Sequence, residues 1–145
     1  MEPMELLEQG RKILAPILES HGFVYERGVA EIGSGGAFAR GAFVRLDHRL
    51  EFSVRGGLGE VVYRVGETRI AHEALMREIA GPRQARYPGF SDEPLDGFRH
   101  LRDALEQYGK SFLRTMDEDF YAFAARALQS QSRGGFGRLS DAEAG

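Results

Sequence analysis

Apolar and polar residues alternate in the middle of the chain, between Ala37 and Val65. In the stretch LEFSVR, Leu50, Phe52 and Val54 occupy every second position, and the stretch EVVYRV repeats the pattern. A period of two residues is typical of a strand with one buried face. The segment therefore predicts three antiparallel strands, AFARGAFVRL, LEFSVR and EVVYRV, with Val54 opposite Val61 across the second turn.

The first turn of this segment decides which side of the first strand is buried. A turn over residues 47–49, with Leu46 opposite Leu50, places Ala42 and Val44 on the inner face together with Leu50. The outer face then has a row of opposite charges across the three strands, which favours this register. The row consists of Arg45, Glu51 and Arg64.

Apolar residues at helical spacing flank the predicted sheet on both sides. They predict one helix before it and three helices after it, over residues 3–21, 68–80, 91–112 and 116–129. Thr68 and Ser91 are good N-cap residues for the second and third helices. Phe90 and Leu95 can form a hydrophobic staple at the start of the third helix.

A further strand pattern lies between the first helix and the predicted sheet. It begins at Phe23 and continues past Gly28 to Ile32, before the turn sequence GSGG at residues 33–36. The predicted fold class is α+β, an antiparallel sheet of three to five strands with one apolar face covered by N- and C-terminal helices. We expect a single domain over residues 1–130 and a disordered tail over residues 131–145, which are polar and rich in glycine.

Composition and charge narrow the classes of function. The chain of 145 residues has no cysteine, which excludes disulfides and thiol catalysis, and no apolar run long enough to span a bilayer. Its N-terminus carries acidic residues where a secretory signal would carry basic ones. A net charge of −3 gives no overall attraction to nucleic acid or to anionic membranes. We expect a cytoplasmic protein that does not bind membranes. RNA binding is the least favoured hypothesis, because it requires the arginines to form one continuous patch without neutralising carboxylates.

Residues that could support catalysis do not form a recognisable motif. His72 and Glu73 lack the second histidine of a zinc-protease helix, and His100 with Asp103 has no further ligand at a defensible spacing. None of the serines lies in a Gly-x-Ser-x-Gly elbow. We therefore predict no catalytic residues, no metal and no cofactor, and we favour a protein that is not an enzyme.

The sequence YPGFSDEPLDGFRHLRDALEQY, at residues 87–108, follows the pattern YPGFS-x-x-PL-x-x-F-x-x-L. Together with the strand-rich segment LEFSVRGGLGEVVYRVG, it resembles a family of small uncharacterised bacterial proteins. The resemblance covers residues 37–112 and implies a bacterial origin and the fold described above. It implies no activity, because none is assigned to that family.

Arginines and aromatic residues provide the strongest candidates for a binding surface, since both are frequent at protein interfaces. We predict a non-enzymatic protein-binding module of the immunity or accessory type. Its candidate contact residues are Arg45, Arg55, Arg64, Arg86 and Tyr87.

Two further hypotheses follow from the same sequence. One is a small-molecule-binding protein or enzyme, with a pocket between the sheet and the helices near Tyr63, His72 and His100. The other is a homodimer formed through strand edges at residues 37–46 or 60–65, because an unpaired strand edge can accept a second strand.

Overall fold

The computed structural model describes residues 2–33, 36–81, 93–114 and 117–129 of the chain. These residues form an α+β fold, as the sequence predicts. In chain order the elements are helix α1 (Pro3–Glu19), strands β1 (Val24–Gly33), β2 (Gly36–Arg45), β3 (His48–Val54), β4 (Leu58–Val65) and β5 (Thr68–Ala71), and helices α2 (His72–Ala80), α3 (Asp96–Tyr108), α4 (Lys110–Leu113) and α5 (residues 117–129).

The five strands form one antiparallel sheet in the order β1-β2-β3-β4-β5, so each strand pairs with its neighbours in sequence. Short turns suffice for such an arrangement, because consecutive antiparallel strands need only a hairpin connection. The sheet predicted from the alternating pattern is confirmed, with β1 and β5 added at its sides. Strands β2 and β4 lie inside the sheet, so the prediction that residues 37–46 or 60–65 form free edges is wrong.

The helices pack on one face of the sheet. Helix α1 contacts β1, β2 and β3, helix α2 contacts β4 and β5, and helix α3 contacts α1 and β4. The core lies between these layers, where Leu50, Tyr63 and Phe98 are fully buried. Phe52 meets Phe98 edge-on, with 5.8 Å between the ring centroids. One hydrophobic cluster extends from Leu6 in α1 to Ala127 in α5.

The register between β2 and β3 differs from the prediction by a change of face. The turn consists of Leu46 and Asp47 alone, because Arg45 pairs with His48 and Phe43 with Leu50. Leu46 adopts a positive φ of 53°, which is uncommon for a leucine. Phe43 pairs with Leu50 in place of the predicted Leu46, a shift of three residues. Because an odd shift moves every side chain to the other face, Phe43 and Arg45 face the core side, and the predicted inner residues, Ala42 and Val44, face outward.

The register between β3 and β4 also differs from the prediction, but the side chains of both strands stay on their predicted faces. Phe52 pairs with Val61 and Leu50 with Tyr63, a shift of two positions. An even shift keeps the alternation in phase, so the predicted inner residues of both strands are buried.

Residues 68–71 form a strand, so the prediction that a helix begins at Thr68 is wrong. Gly66, at φ 59°, and Glu67 make a tight turn that returns the chain along β4, and Thr68 pairs with Val65. Glycine adopts this φ without steric cost. Helix α2 begins at His72, directly after the strand.

The third predicted helix is divided in two. Helix α3 ends at Tyr108, and the short helix α4 follows Gly109. Helix α3 also begins later than predicted, at Asp96 with Leu95 at its N-cap position, so the predicted helical start at residue 91 is wrong. Ser91, Phe90 and the tail over residues 131–145 lie outside the described residues. Residues 117–129 are helical, as the prediction over residues 116–129 requires.

Candidate binding surface on the sheet

The face of the sheet opposite the helices carries a groove of about 280 Å³. We call it the sheet groove. Residues from β1 to β5 contribute to it, among them four arginines and three glutamates. Its lining residues are Glu26, Arg27, Val29, Arg40, Gly41, Ala42, Arg49, Glu51, Phe52, Ser53, Glu60, Val62 and Arg69.

The floor of the sheet groove is apolar. Ala42 and Val62 stand on either side of Glu51 in the strand register. Both are nearly inaccessible, with 3% and 4% of their surface exposed, although they point away from the helices. Long charged side chains cover apolar surface with their aliphatic stems while their heads stay in water. The arginines around the floor therefore shield it and provide a charged rim.

Arg49 is the centre of the charged rim. Its Nη2 lies 2.7 Å from Oε2 of Glu26, and its Nε donates to Oε2 of Glu51 at 3.0 Å. Burial by itself lowers the pKa of Arg49, but the hydrogen bonds to the two carboxylates outweigh it and raise that pKa above its ordinary value. A guanidinium held by two carboxylates from different strands has a fixed orientation.

Three further ion pairs continue the rim across the sheet. Arg40 of β2 pairs with Glu31 of β1. Arg64 of β4 approaches Glu51 of β3 at 3.5 Å, and Arg69 of β5 approaches Glu60 of β4 at 3.6 Å. Exposed pairs of this kind contribute little to stability. Their effect is to hold several arginines in defined positions on one open surface.

The predicted contact residues separate into different places. Arg64 lies on the sheet face near Glu51, as expected. Arg55 is exposed at the end of β3, with its guanidinium 5.6 Å from the ring centroid of Phe38. Arg86 and Tyr87 lie outside the described residues.

Arg45 is on the core side of the sheet, and its predicted place in the outer row with Glu51 and Arg64 is therefore wrong. Its Nη1 donates to the carbonyl oxygens of His21 and Leu113, both at 2.7 Å. Its guanidinium also lies 4.5 Å from the ring centroid of Phe23. Leu113 is the last residue of α4, and His21 follows the end of α1 by two residues, so both carbonyls lie where a cation is favoured. Arg45 ties two helix ends to the sheet.

The sequence does not predict four of the arginines on this surface as contact residues. They are Arg27, Arg40, Arg49 and Arg69. A two-residue β2–β3 turn, the commonest hairpin connection, would have placed Arg49 opposite Val44 on the outer face. Arg69 required the recognition of β5, which the sequence pattern presents as the first turn of a helix. Arg27 required the bulge in β1, where pairing shifts between Glu26 and Val29.

Two residues of the alternative site, Tyr63 and His72, lie inside the core, whereas His100 on α3 is half-buried. The Tyr63 hydroxyl lies 2.7 Å from Nδ1 of His72, and both side chains are almost completely buried. Burial, and to a smaller extent the nearby His100, lowers the pKa of His72 to about 4. The imidazole is therefore neutral near pH 7, and its Nδ1 can accept a hydrogen bond from the Tyr63 hydroxyl. The two residues come together as predicted, but in packed surroundings.

A second buried histidine connects the C-terminal helix to the sheet. His48 has 2% of its surface exposed, and its two ring nitrogens each lie 3.0 Å from a carboxylate oxygen, of Asp47 and of Asp117. Asp117 begins α5, so this contact positions that helix over the β2–β3 turn.

Neither a metal centre nor a membrane-spanning element is found in the described part of the chain. Within residues 2–33, 36–81, 93–114 and 117–129, no three His, Asp or Glu side chains are grouped so that they could hold a metal ion. The helices described there are also too short or too polar to cross a bilayer.

Comparison of the chain with models of protein families, with curated proteins and with solved structures finds no match. The function is therefore argued from the sheet groove and its surroundings.

Proposed function

We propose that this chain is a non-enzymatic protein-binding module of the bacterial cytoplasm, of the immunity or accessory type, and that it binds its partner through the sheet groove. The observation that supports this most strongly is the arginine at the centre of the rim. Arg49 is held by Glu26 and Glu51 beside an apolar floor, on a face that the described helices leave open. Arginine is among the residues that contribute most to binding at protein interfaces.

The arrangement of the groove corresponds to the usual anatomy of an interface. Such surfaces combine an apolar centre with a polar rim. Here Ala42 and Val62 form the centre, and the ion pairs of Arg49, Arg64 and Arg69 form the rim. Because the ion pairs already restrict these arginines, a partner would lose less side-chain entropy on ordering them.

The charges of the groove favour a protein partner over a nucleic acid. Three glutamates, Glu26, Glu51 and Glu60, alternate with the arginines and would repel phosphate groups. The same alternation suits a protein surface that offers charges of both signs, because complementary charges determine which partner is accepted. The net charge of −3 acts in the same direction.

The alternative hypothesis, a ligand pocket between the sheet and the helices, has less support. Tyr63 and His72 have 0% and 1% of their surface exposed, so a ligand could reach them only if the core opened. An enclosed Tyr–His hydrogen bond is accounted for by the need to satisfy buried polar groups.

A capture experiment tests the proposal. The full chain is immobilised and exposed to lysate of the native host, with and without nuclease, and the retained proteins are identified by mass spectrometry. Arg64→Glu, which reverses a charge on the sheet face, is compared with Arg77→Glu, which reverses a charge on α2 away from the groove. Arg64 is 43% exposed in its side chain, so we expect the substitution to leave the fold intact.

We expect one protein to be retained in stoichiometric amount by the wild-type chain and by Arg77→Glu, and to be lost with Arg64→Glu. Retention of that protein by all three chains would contradict a role for the sheet groove. Loss of the retained material after nuclease treatment would contradict a protein partner.

A further inference from the structure

Strand β1 offers the longest free edge of the sheet. Among the described strands, β1 and β5 each pair with one neighbour only. The edge of β5 is four residues long and leads directly into α2, whereas β1 has ten residues. Proteins protect long edges with lysine, proline or bulges. The sequence VYERGVAEIG of β1 contains no lysine or proline, and its protection consists of the bulge between Glu26 and Val29 and of a few charged side chains.

The exposed residues of β1 are unusually apolar for a surface strand. Val24, Val29 and Ile32 have 68%, 51% and 87% of their surface exposed. An exposed apolar edge strand is a template for pairing with another strand. Charged residues lie between these apolar ones. Their positions determine which second strand can pair with β1, because opposite charges must face each other.

We propose that a second copy of this chain pairs with β1, antiparallel and around a two-fold axis at Val29. In this register Val29 meets Val29 of the second copy, and Arg27 of each copy lies beside Glu31 of the other. A two-fold contact repeats each pair, so two opposite-charge contacts form on the two sides of the axis.

The neighbouring registers are less favourable. An axis at Glu31 would set two glutamates against each other, and an axis at Ala30 would set Val29 against Glu31. Directly opposed like charges destabilise a strand pair, and an apolar residue opposite a carboxylate adds no attraction. The register at Val29 is therefore preferred to these two.

This pairing would bring the sheet grooves of the two copies side by side. Glu26, Arg27 and Val29 line the sheet groove at its β1 end. With β1 paired to its copy, the sheets form one continuous surface, and each copy supplies β1 residues at the open end of the other copy's groove. The inference concerns the strand edge and does not depend on the proposed protein partner.

Sedimentation equilibrium of the full chain, from micromolar to millimolar concentration, tests the pairing. We expect a monomer–dimer equilibrium for the wild-type chain. Val29→Lys places two like charges at the axis and should weaken dimerisation by more than about tenfold. Arg27→Glu and Glu31→Lys should each weaken it, and the double variant should restore it, since the opposite charges then face each other again.

Two control measurements distinguish pairing at the β1 edge from association through the sheet face and from unfolding of a variant. Arg64→Glu changes the sheet face but not the edge, so its dimerisation should equal that of the wild type. Circular dichroism and thermal melting of each variant confirm that the chain is folded, which matters for Glu31→Lys because Glu31 pairs with Arg40. A wild-type chain that remains monomeric at every concentration, or a dimer that Val29→Lys leaves unchanged, would overturn the proposal.

Discussion

The hydroxyl of Tyr63 and the imidazole Nδ1 of His72 form a hydrogen bond of 2.7 Å inside the core. Tyr63 belongs to β4 and His72 is the first residue of α2, so the bond fixes the start of that helix on the sheet. His72 can accept it only while its Nδ1 is unprotonated, and burial, followed by the proximity of His100, lowers the pKa of His72 to about 4.

This pair predicts a loss of stability in mild acid. In the unfolded chain His72 has its ordinary pKa of 6.5, so between pH 6.5 and 4 the unfolded state binds a proton that the folded state does not. The free energy of unfolding should therefore fall by as much as about 3 kcal/mol as the pH drops through this range, and should be independent of His72 above it.

Urea unfolding at several pH values measures this effect. His72→Gln keeps an acceptor for Tyr63 and removes the titrating ring, so between pH 6.5 and 5 its free energy of unfolding should change less than that of the wild type. The carboxylates titrate in both chains, so their contribution to the pH dependence is the same and drops out of the difference between the two proteins. Equal pH dependence in the two proteins would show that His72 is not the responsible group.

A close contact between α1 and α3 predicts an unusual effect of a glycine substitution. A Cβ added to Gly10 would lie 2.3 Å from the ring of Phe98. Replacing a glycine inside a helix by alanine normally stabilises it by about 1 kcal/mol. Here we expect Gly10→Ala to destabilise the protein, because overpacking a core costs about 1–3 kcal/mol.

Gly56 provides the matched control for this substitution. A Cβ there meets nothing within 4 Å, so Gly56→Ala should change the free energy of unfolding by less than about 0.5 kcal/mol. Chemical denaturation of both variants measures the difference. If Gly10→Ala were as stable as the wild type or more so, the packing of Phe98 on α1 would be refuted.

Removing the side chain of Arg45 should strongly lower the free energy of unfolding, although Arg45 is not part of the sheet groove. Arg45→Ala leaves the carbonyls of His21 and Leu113 without their charged donor and should cost about 2–3 kcal/mol. Arg55→Ala removes an exposed contact with Phe38 and should cost less than about 1 kcal/mol. Denaturation curves of the two variants that coincide would contradict the assignment of Arg45 to the core side.

The sequence pattern was sufficient for the faces of β3 and β4 but not for that of β2. Leu50, Phe52 and Val54 alternate, and all three are buried as this pattern indicates. The face of β2 depends on the turn, where Leu46 adopts a left-handed conformation that leucine normally avoids. A two-residue turn is the commonest hairpin connection, but leucine is not a residue that favours its left-handed position. The choice of this turn follows from the gain of burying Phe43, a contact between distant parts of the chain.

The sequence predicts a residue of the candidate site correctly only where it also predicts the face of the strand that carries the residue. Arg64 lies on β4, whose face was predicted correctly, and it is on the sheet groove side. The pattern misplaces Arg45 together with β2, and it puts Arg69 in a helix because Ile70 fits a helical stripe as well as a strand. Short apolar patterns do not distinguish a four-residue strand from a helical turn.

The measurement that tests the central claim most directly is the affinity of the captured partner for the purified chain, determined by calorimetry. If the sheet groove is the binding surface, Arg64→Glu should weaken binding by at least about tenfold, which corresponds to about 1.4 kcal/mol, while Arg77→Glu should bind as the wild type does. An affinity for Arg64→Glu equal to that of the wild type would remove the outer face of the sheet as the binding surface.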